Sequence, residues 1–196
     1  MMHAPMIYML SDAQRQPDWR TALTAQPRHI GLILRDYQHD ARACLAAEMA
    51  ALCRRQGRAF AIAGDRRLAR KHGAGFHCPS FMLRRAALRG GKGRPGDSAA
   101  VHNMAELLAA KQAGFRRVFI APVFATQSHI GARPLALWRA LPLLRAARRG
   151  GMTAYALGGM NAAQWRRLGG FAAADGYGAI GAFGPAARAG GVIELG

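Results

Sequence analysis

Residues 99–122, AAVHNMAELLAAKQAGFRRVFIAP, hold one complete unit of the pattern that decides the fold. A short apolar run, Ala99–Asn103, precedes a helical stretch, Met104–Ala113, and Gly114 then separates that stretch from a second apolar run, Arg116–Pro122. The asparagine before the helix is a good N-cap and the glycine after it a good stop. Two strands joined through a helix in this way lie parallel in one sheet.

The same alternation recurs along the chain, and this repetition predicts a parallel sheet of eight strands. The predicted strands are Ile7–Asp12, His29–Asp36, Ala59–Asp65, Gly75–Cys78, Ala99–Asn103, Arg116–Pro122, Thr153–Gly159 and Gly176–Phe183. The clearest helical stretches are Asp40–Gln56, Met104–Ala113, Leu135–Arg149 and Ala162–Leu168, with Asn103 and Asn161 as N-caps and Gly57, Gly114 and Gly150 as stops.

A length of 196 residues sets the size of this architecture. It suits one domain over 1–196, and it is at the short end for a closed eight-stranded barrel. We therefore predict an α/β protein, a single compact (β/α)8 TIM barrel with a shortened or missing last helix and one loose loop at 89–98. A doubly wound open sheet would show the same apolar strands and is the alternative.

The charge of this chain is extreme, with a formal value of +18 at pH 7. All but three of its 28 Lys and Arg residues are arginine. Such a surface attracts anions, and nucleic acid is the first partner to consider. The arginines are scattered in pairs along the helical stretches, without interleaved aromatic residues for base stacking, so solvated helix faces are the favoured interpretation.

Cysteine content and hydropathy bear on location. Three cysteines with no metal-ligand spacing, no signal peptide and no run of about 18 apolar residues predict a reduced, cytoplasmic compartment and no membrane partner. Cys44 and Cys53 fall in one predicted helix, where a small buried thiol is expected.

Candidate site residues follow the predicted strands, because the carboxyl ends of barrel strands carry the active site. The last two strands end in glycine-rich segments, Ala156–Asn161 and Gly176–Phe183. Glycine lets backbone N–H groups approach an anion, and barrels often hold phosphate there. Ordinary turn formation is the alternative. The other strand ends carry Asp12, Arg35, Asp36, Asp65, His77, His102 and Thr126.

The order of short motifs resembles that of the thiamine phosphate synthase and TenI superfamily of (β/α)8 barrels. The first motif, Tyr8–Asp12, is similar to the Tyr-x-x-[Ser/Thr]-Asp pattern that commonly ends its first strand. The resemblance spans roughly residues 6 to 184 and continues through Leu34–Asp36, Gly64–Arg66, Gly75–His77, Val101–Asn103, Pro122–Thr126, Leu157–Met160 and Gly178–Ile180.

The resemblance departs from the synthase pattern where a synthase binds diphosphate and Mg²⁺. The synthase Gln-x-Arg-x-Lys reads Ile33–Tyr37 here, so only Arg35 survives. Its Asn-Asp pair reads Gly64-Asp65, and the second metal carboxylate falls near Met82. One carboxylate without a partner is a poor Mg²⁺ site. We therefore expect no metal and no cofactor, with Mg²⁺ needed only if the chain is a synthase.

The phosphate half of the pattern is better preserved. The family's Thr-x-Thr-Lys reads Thr126–His129, and its strand-8 serine reads Gly181. A monophosphate needs only hydrogen-bond donors, so the expected phosphate-binding residues are Thr126, Ser128, Gly158, Gly159, Ile180 and Gly181.

The resemblance is closest to the TenI branch, which is implicated in aromatising a thiazole phosphate carboxylate tautomer. A histidine at the end of strand 5 is that branch's catalytic candidate, and His102 matches it. Histidine suits a proton shift, although His102 could instead cap the following helix. The expected substrate-binding residues are Arg35, Asp65, His77 and His129. Arg35 could pair with Asp36 or Asp65 instead, Asp12 and Asp65 could be caps, and His77 could be a packing residue.

Three hypotheses follow. The first is a metal-independent thiazole tautomerase, the second a thiamine phosphate synthase with a divergent site, and the third an inactive barrel that binds a phosphorylated ligand or RNA. The expected partner is a phosphorylated thiazole-type small molecule. The resemblance is compatible with a homodimer, and the charge alone leaves nucleic acid open.

Overall fold

The computed structural model describes residues 7–88, 93–125, 137–180 and 183. Eight strands form one closed barrel, in which each strand pairs in parallel with the next and the eighth returns to the first. The strands are β1 (Ile7–Leu10), β2 (Gly31–Leu34), β3 (Phe60–Ala63), β4 (Gly75–Cys78), β5 (Ser98–Val101), β6 (Arg117–Ile120), β7 (Thr153–Leu157) and β8 (Gly176–Ala179). The prediction of a (β/α)8 barrel is confirmed.

One α-helix follows each of the first seven strands. These helices are α1 (Trp19–Thr24), α2 (Arg42–Gln56), α3 (Arg66–Lys71), α4 (Ser80–Leu88), α5 (Met104–Gln112), α6 (Leu137–Arg149) and α7 (Ala162–Leu168), and a 3₁₀ turn covers Gly170–Ala172. After β8 only Ile180 and Phe183 are described, so the predicted shortening of the last helix concerns residues outside the described part of the chain. Within the described residues, no helix combines the length and apolarity needed to cross a membrane.

The helix ends follow the capping residues seen in the sequence. The Asn103 side chain accepts a hydrogen bond from the backbone N–H of Glu106, and that of Asn161 accepts one from Gln164. Gly57 ends α2 in the left-handed conformation, with φ of 65°. These caps satisfy backbone groups that the helix ends would leave without partners. Helix α2 also contains both Cys44, which is exposed, and Cys53, which is buried, so only one of the two expected buried thiols is found.

The structure differs from the sequence prediction mainly in element length. Each strand has four or five residues, whereas the apolar runs suggested up to eight. The extra residues belong to the loops at the strand ends, where polar residues and glycines follow the short apolar runs. Helices α1 and α3 have six residues each, too few to produce a visible helical period.

Aromatic rings fill the interior of the barrel. Tyr8, Phe119 and Tyr155 are at most 2% exposed. The rings of Phe119 and Tyr155 stack with centroids 4.7 Å apart, and Tyr8 meets the Phe119 ring edge-on at 5.3 Å. Small residues from β3, Ala61 and Ala63, complete this inner core. A second and larger core lies between the outer face of the sheet and the helices.

Arg58 ties the loop between α1 and β2 to the start of β3. It is 6% exposed, and its guanidinium donates to the backbone carbonyls of Pro27 at 2.5 Å and Gln26 at 2.7 Å. The carbonyls of Ile30 and Leu23 accept from it at 3.2 Å. One buried cation therefore donates to four carbonyls, of which those of Pro27 and Leu23 also accept from the backbone N–H groups of Ile30 and Gln26.

We expect Arg58→Met to lower the free energy of unfolding by about 3 kcal/mol, because it leaves those carbonyls without their charged donor. Urea titration followed by circular dichroism measures the change. Arg55→Met is the matched control, since Arg55 is exposed on the last turn of α2, and it should change stability by less than about 0.5 kcal/mol. Equal stability of the two variants would contradict this role for Arg58.

Candidate active site

The residues that directly follow the strands gather at one end of the barrel, here called the rim. They include Ser11 and Asp12 after β1, Arg35 and Asp36 after β2, Gly64 and Asp65 after β3, His102 after β5, Gly158 and Gly159 after β7, and Ile180 after β8. Because all strands run parallel, the closed barrel places these residues around one ring.

His102 is held at the rim by a carboxylate on the helix that follows it. Its Nδ1 lies 2.9 Å from Oε2 of Glu106, and the same oxygen accepts from the backbone N–H of His102 at 2.7 Å. An ionised carboxylate only accepts hydrogen bonds, so Nδ1 carries the proton in this contact and Nε2 is the nitrogen left for chemistry. The His102 side chain is 41% exposed, which makes it accessible to a ligand.

Glu106 was not among the predicted site residues, although the sequence carries a signal for it. Glu106 is the third residue of α5, counted from the N-cap Asn103, and this Asn-x-x-Glu spacing is that of a capping box. Its second oxygen, Oε1, accepts from Nδ2 of Asn103 at 3.2 Å. The carboxylate thus serves both the helix end and the imidazole.

Arg35 pairs with Asp12, 3.5 Å from its Oδ2, a partner that was not among the alternatives Asp36 and Asp65. Asp36 is already engaged by the hydroxyl of Ser11 and, at 2.7 Å, by the backbone N–H of Ala13. The Arg35 and Asp12 side chains are 23% and 13% exposed. A partly buried, oriented guanidinium of this kind can receive an anionic group.

Asp65 caps the helix after its strand. Its side chain accepts from the backbone N–H of Leu68 at 2.8 Å, at the N-cap of α3. Met82 stands in α4, near where the family pattern expects a second carboxylate. In the described part of the chain no three His, Cys, Asp or Glu side chains come together as a metal site.

His77 lies in the packed interior. It is 4% exposed, its Nδ1 lies 2.9 Å from the Ser98 hydroxyl, and its ring meets Phe119 edge-on at 5.3 Å. Burial disfavours the charged imidazole and lowers the pKa of His77 to about 4. The ring is therefore neutral at pH 7.

The two glycines after β7 are required by backbone packing. Both have positive φ, 91° for Gly158 and 62° for Gly159. A Cβ on Gly158 would lie 2.7 Å from Cα of Pro122, and one on Gly159 would lie 2.4 Å from the carbonyl oxygen of Ala125. The loops after β6 and β7 are thus in backbone contact, also through a hydrogen bond from Phe124 N–H to the Gly158 carbonyl at 3.1 Å.

The remaining predicted phosphate residues divide between two groups. Ile180 is described and half-buried at the end of β8. Thr126, Ser128, His129 and Gly181 lie outside the described residues.

A family model described as thiamine monophosphate synthase (TMP-TENI) matches residues 19–181. The chain belongs to this family. Thiamine phosphate pyrophosphorylase from Pyrococcus furiosus is a structural match, with a TM-score of 0.73, 18% identity, and coverage of 95% of this chain and 91% of that one. The family comprises enzymes of thiamine biosynthesis, and proteins outside it share the same barrel architecture.

Two of those other barrels are FabK from Thermotoga maritima and an HpcH/HpaI aldolase from Desulfitobacterium hafniense DCB-2. FabK gives a TM-score of 0.62 at 13% identity, covering 91% of this chain and 58% of that one. The aldolase gives 0.59 at 14% identity, covering 89% and 85%. At these identities the likeness shows the fold alone. A comparison with curated proteins found no match.

The buried His77 predicts a specific pH dependence of stability. Its folded pKa of about 4 lies below the unfolded value of about 6.5, so the unfolded chain takes up a proton first as the pH falls. Stability is lost between about pH 6.5 and 4, by up to about 1.4 kcal/mol per pH unit for this one group.

His77→Gln should flatten that decline, because glutamine keeps a polar contact with Ser98 but takes up no proton. Urea titrations at several pH values measure the slope. His29→Gln, at an exposed histidine, should retain the slope of the unchanged protein. If the two variants respond alike, the buried histidine is not the source.

Proposed function

We propose that this protein is a thiazole phosphate tautomerase of the TenI type that uses His102 as its general acid and base and needs no metal. The observation that carries the proposal is the His102 side chain at the rim, with Nδ1 bound to Glu106 at 2.9 Å and 41% of its surface exposed. Membership of the family supports a role in thiamine biosynthesis.

The reaction is a proton shift within one molecule. Nε2 of His102 removes a proton from a ring carbon of the substrate, and the electron pair of the broken C–H bond moves into the conjugated system. The imidazolium then returns a proton to another position of that system, so no atom is gained or lost. Glu106 stabilises the charged imidazolium and keeps Nε2 directed away from the helix.

Substrate binding is assigned to the two sides of the rim. Arg35, oriented by Asp12, receives the carboxylate of the substrate. The phosphate is assigned to the backbone of Gly158, Gly159 and Ile180, together with Thr126, Ser128, His129 and Gly181. Asp65 holds the start of α3 at the rim through its contact with Leu68, whereas His77 contacts Ser98 in the barrel interior.

A synthase is the second candidate, because the matching family is described by that activity. Of the two carboxylates that a synthase would use to hold Mg²⁺, this chain has only Asp65. The Asp65 side chain caps α3. A barrel without catalytic activity that binds RNA is the third, on the strength of the +18 charge.

One set of assays separates the three. The protein is incubated with the unaromatised thiazole carboxylate phosphate, and separately with thiazole phosphate, hydroxymethylpyrimidine diphosphate and Mg²⁺, with both mixtures followed by absorbance and mass. Aromatisation in the first mixture is expected. Thiamine phosphate in the second would establish the synthase, and RNA binding with a steep salt dependence and no turnover would establish the third candidate.

His102→Gln should lower kcat for aromatisation by about a hundredfold or more, the usual contribution of a general acid and base. Its Kd for thiazole phosphate, measured by calorimetry, should stay within about twofold, since phosphate binding is assigned to other residues. Glu106→Gln should lower kcat by less, because the amide oxygen can still accept from Nδ1 but carries no charge. His29→Gln, near the opposite end of the barrel, is the control. Unchanged turnover in His102→Gln would refute the mechanism.

A further inference from the structure

Exposed apolar side chains concentrate on two neighbouring helices. Of the seven large hydrophobic residues that are exposed in the described part of the chain, four lie on α4 and α5, which pack side by side. Phe81 is 78% exposed, Leu88 88%, Leu108 60% and Met104 46%. Single exposed apolar residues are common on a protein surface, but such a cluster marks an interaction site.

The charge on the same surface is entirely positive. Arg84 and Arg85 are exposed between Phe81 and Leu88 on α4, and Lys111 is exposed on α5. The two helices contain one acidic residue, Glu106, and it is bound to His102. We define the α4–α5 face as the four apolar and three cationic residues named here. This face has no carboxylate that could pair with a cationic partner.

Residue spacing indicates the shape of the partner. Phe81 and Leu88 are seven residues apart, with the two arginines three and four residues after Phe81, so all four lie on one side of α4. Met104 and Leu108 are four apart and share one side of α5. Two adjacent helices with apolar residues at these intervals present an apolar surface that suits the apolar stripe of a third helix.

We propose that the α4–α5 face is a docking surface for an acidic amphipathic helix of a different protein. The partner's apolar stripe covers the four exposed hydrophobic side chains, and its Asp and Glu residues pair with Arg84, Arg85 and Lys111. A second copy of this chain is a poor occupant, because it would bring three more cations to the face and a net charge of +18 to the complex.

The test uses the full chain and a panel of fluorescently labelled acidic helical peptides, about 20 residues long so that the helix is stable. Each peptide carries leucine at i, i+3, i+4 and i+7 and glutamate elsewhere, and a scrambled peptide of the same composition lacks the stripe. Anisotropy at physiological ionic strength should show binding of the striped peptides and at least about tenfold weaker binding of the scrambled one.

Two variants of the face should each weaken peptide binding by about tenfold or more. Arg84→Glu with Arg85→Glu removes the charge complementarity, and Phe81→Ser with Leu88→Ser removes the apolar contact. Arg54→Glu with Arg55→Glu is the matched control, since it makes the same charge change at two exposed arginines on α2. It should change binding by less than about threefold. Thermal unfolding confirms that every variant is folded.

Several results would overturn the proposal. Equal weakening by the α2 and α4 charge changes would show attraction to the net charge alone, and absence of peptide binding would show that no acidic helix docks there. A different outcome is that the protein binds vesicles of anionic lipid more tightly than it binds the peptides. If the Phe81→Ser/Leu88→Ser variant loses that vesicle binding, the face is a membrane contact. Sedimentation that shows a dimer dissociated by the same variant would make it an interface between copies.

Discussion

A closed parallel barrel of this size has to fill its interior with side chains, and the remaining structure depends on how it does so. Three rings, Tyr8, Phe119 and Tyr155, come from β1, β6 and β7 and pack against one another in that space. Ile33 on β2 and His77 on β4 also reach this interior, whereas β3 contributes only Ala61 and Ala63 to it. At Gly178 on β8 even a Cβ would come within 3.2 Å of the Phe119 ring and 3.0 Å of Leu10. Glycine at position 178 therefore leaves the space that the large rings occupy.

The closed barrel also determines which polar groups at the rim are in contact with one another. Because strands of only four or five residues surround the filled interior, the loops begin immediately above the packed rings, and most polar groups at the rim bind one another. Asp36 joins the loops after β1 and β2 through Ser11 and Ala13, and Asp65 begins α3. Carboxylates engaged in this way stabilise the loops. His102 and Arg35 differ, since each has a carboxylate partner and an exposed part.

The sequence predicted the architecture well because its signals repeat. Eight strands alternate with seven α-helices in the described residues, and the caps at Asn103, Asn161 and Gly57 lie at the boundaries that local chemistry requires. The pairing of Arg35 with Asp12 was not foreseen, because a choice between Asp12, Asp36 and Asp65 depends on loop geometry that has no local signature. For Gly158 and Gly159, the sequence could not distinguish a phosphate site from close contact with the β6 loop. The contact is present, and phosphate binding stays a prediction.

Glu106 shows why a site and a fold cannot always be separated. One oxygen of its carboxylate accepts from both the backbone N–H and Nδ1 of His102, and the other accepts from Asn103 at the start of α5. The hydrogen bonds that stabilise the first turn of α5 therefore also orient the imidazole. A helix cap is normally interchangeable among several residues, since only the backbone needs to be satisfied. At position 106, a residue without a carboxylate could preserve the helix and still lose the orientation of His102. Catalysis by His102 therefore restricts the residue at position 106 more than helix stability does.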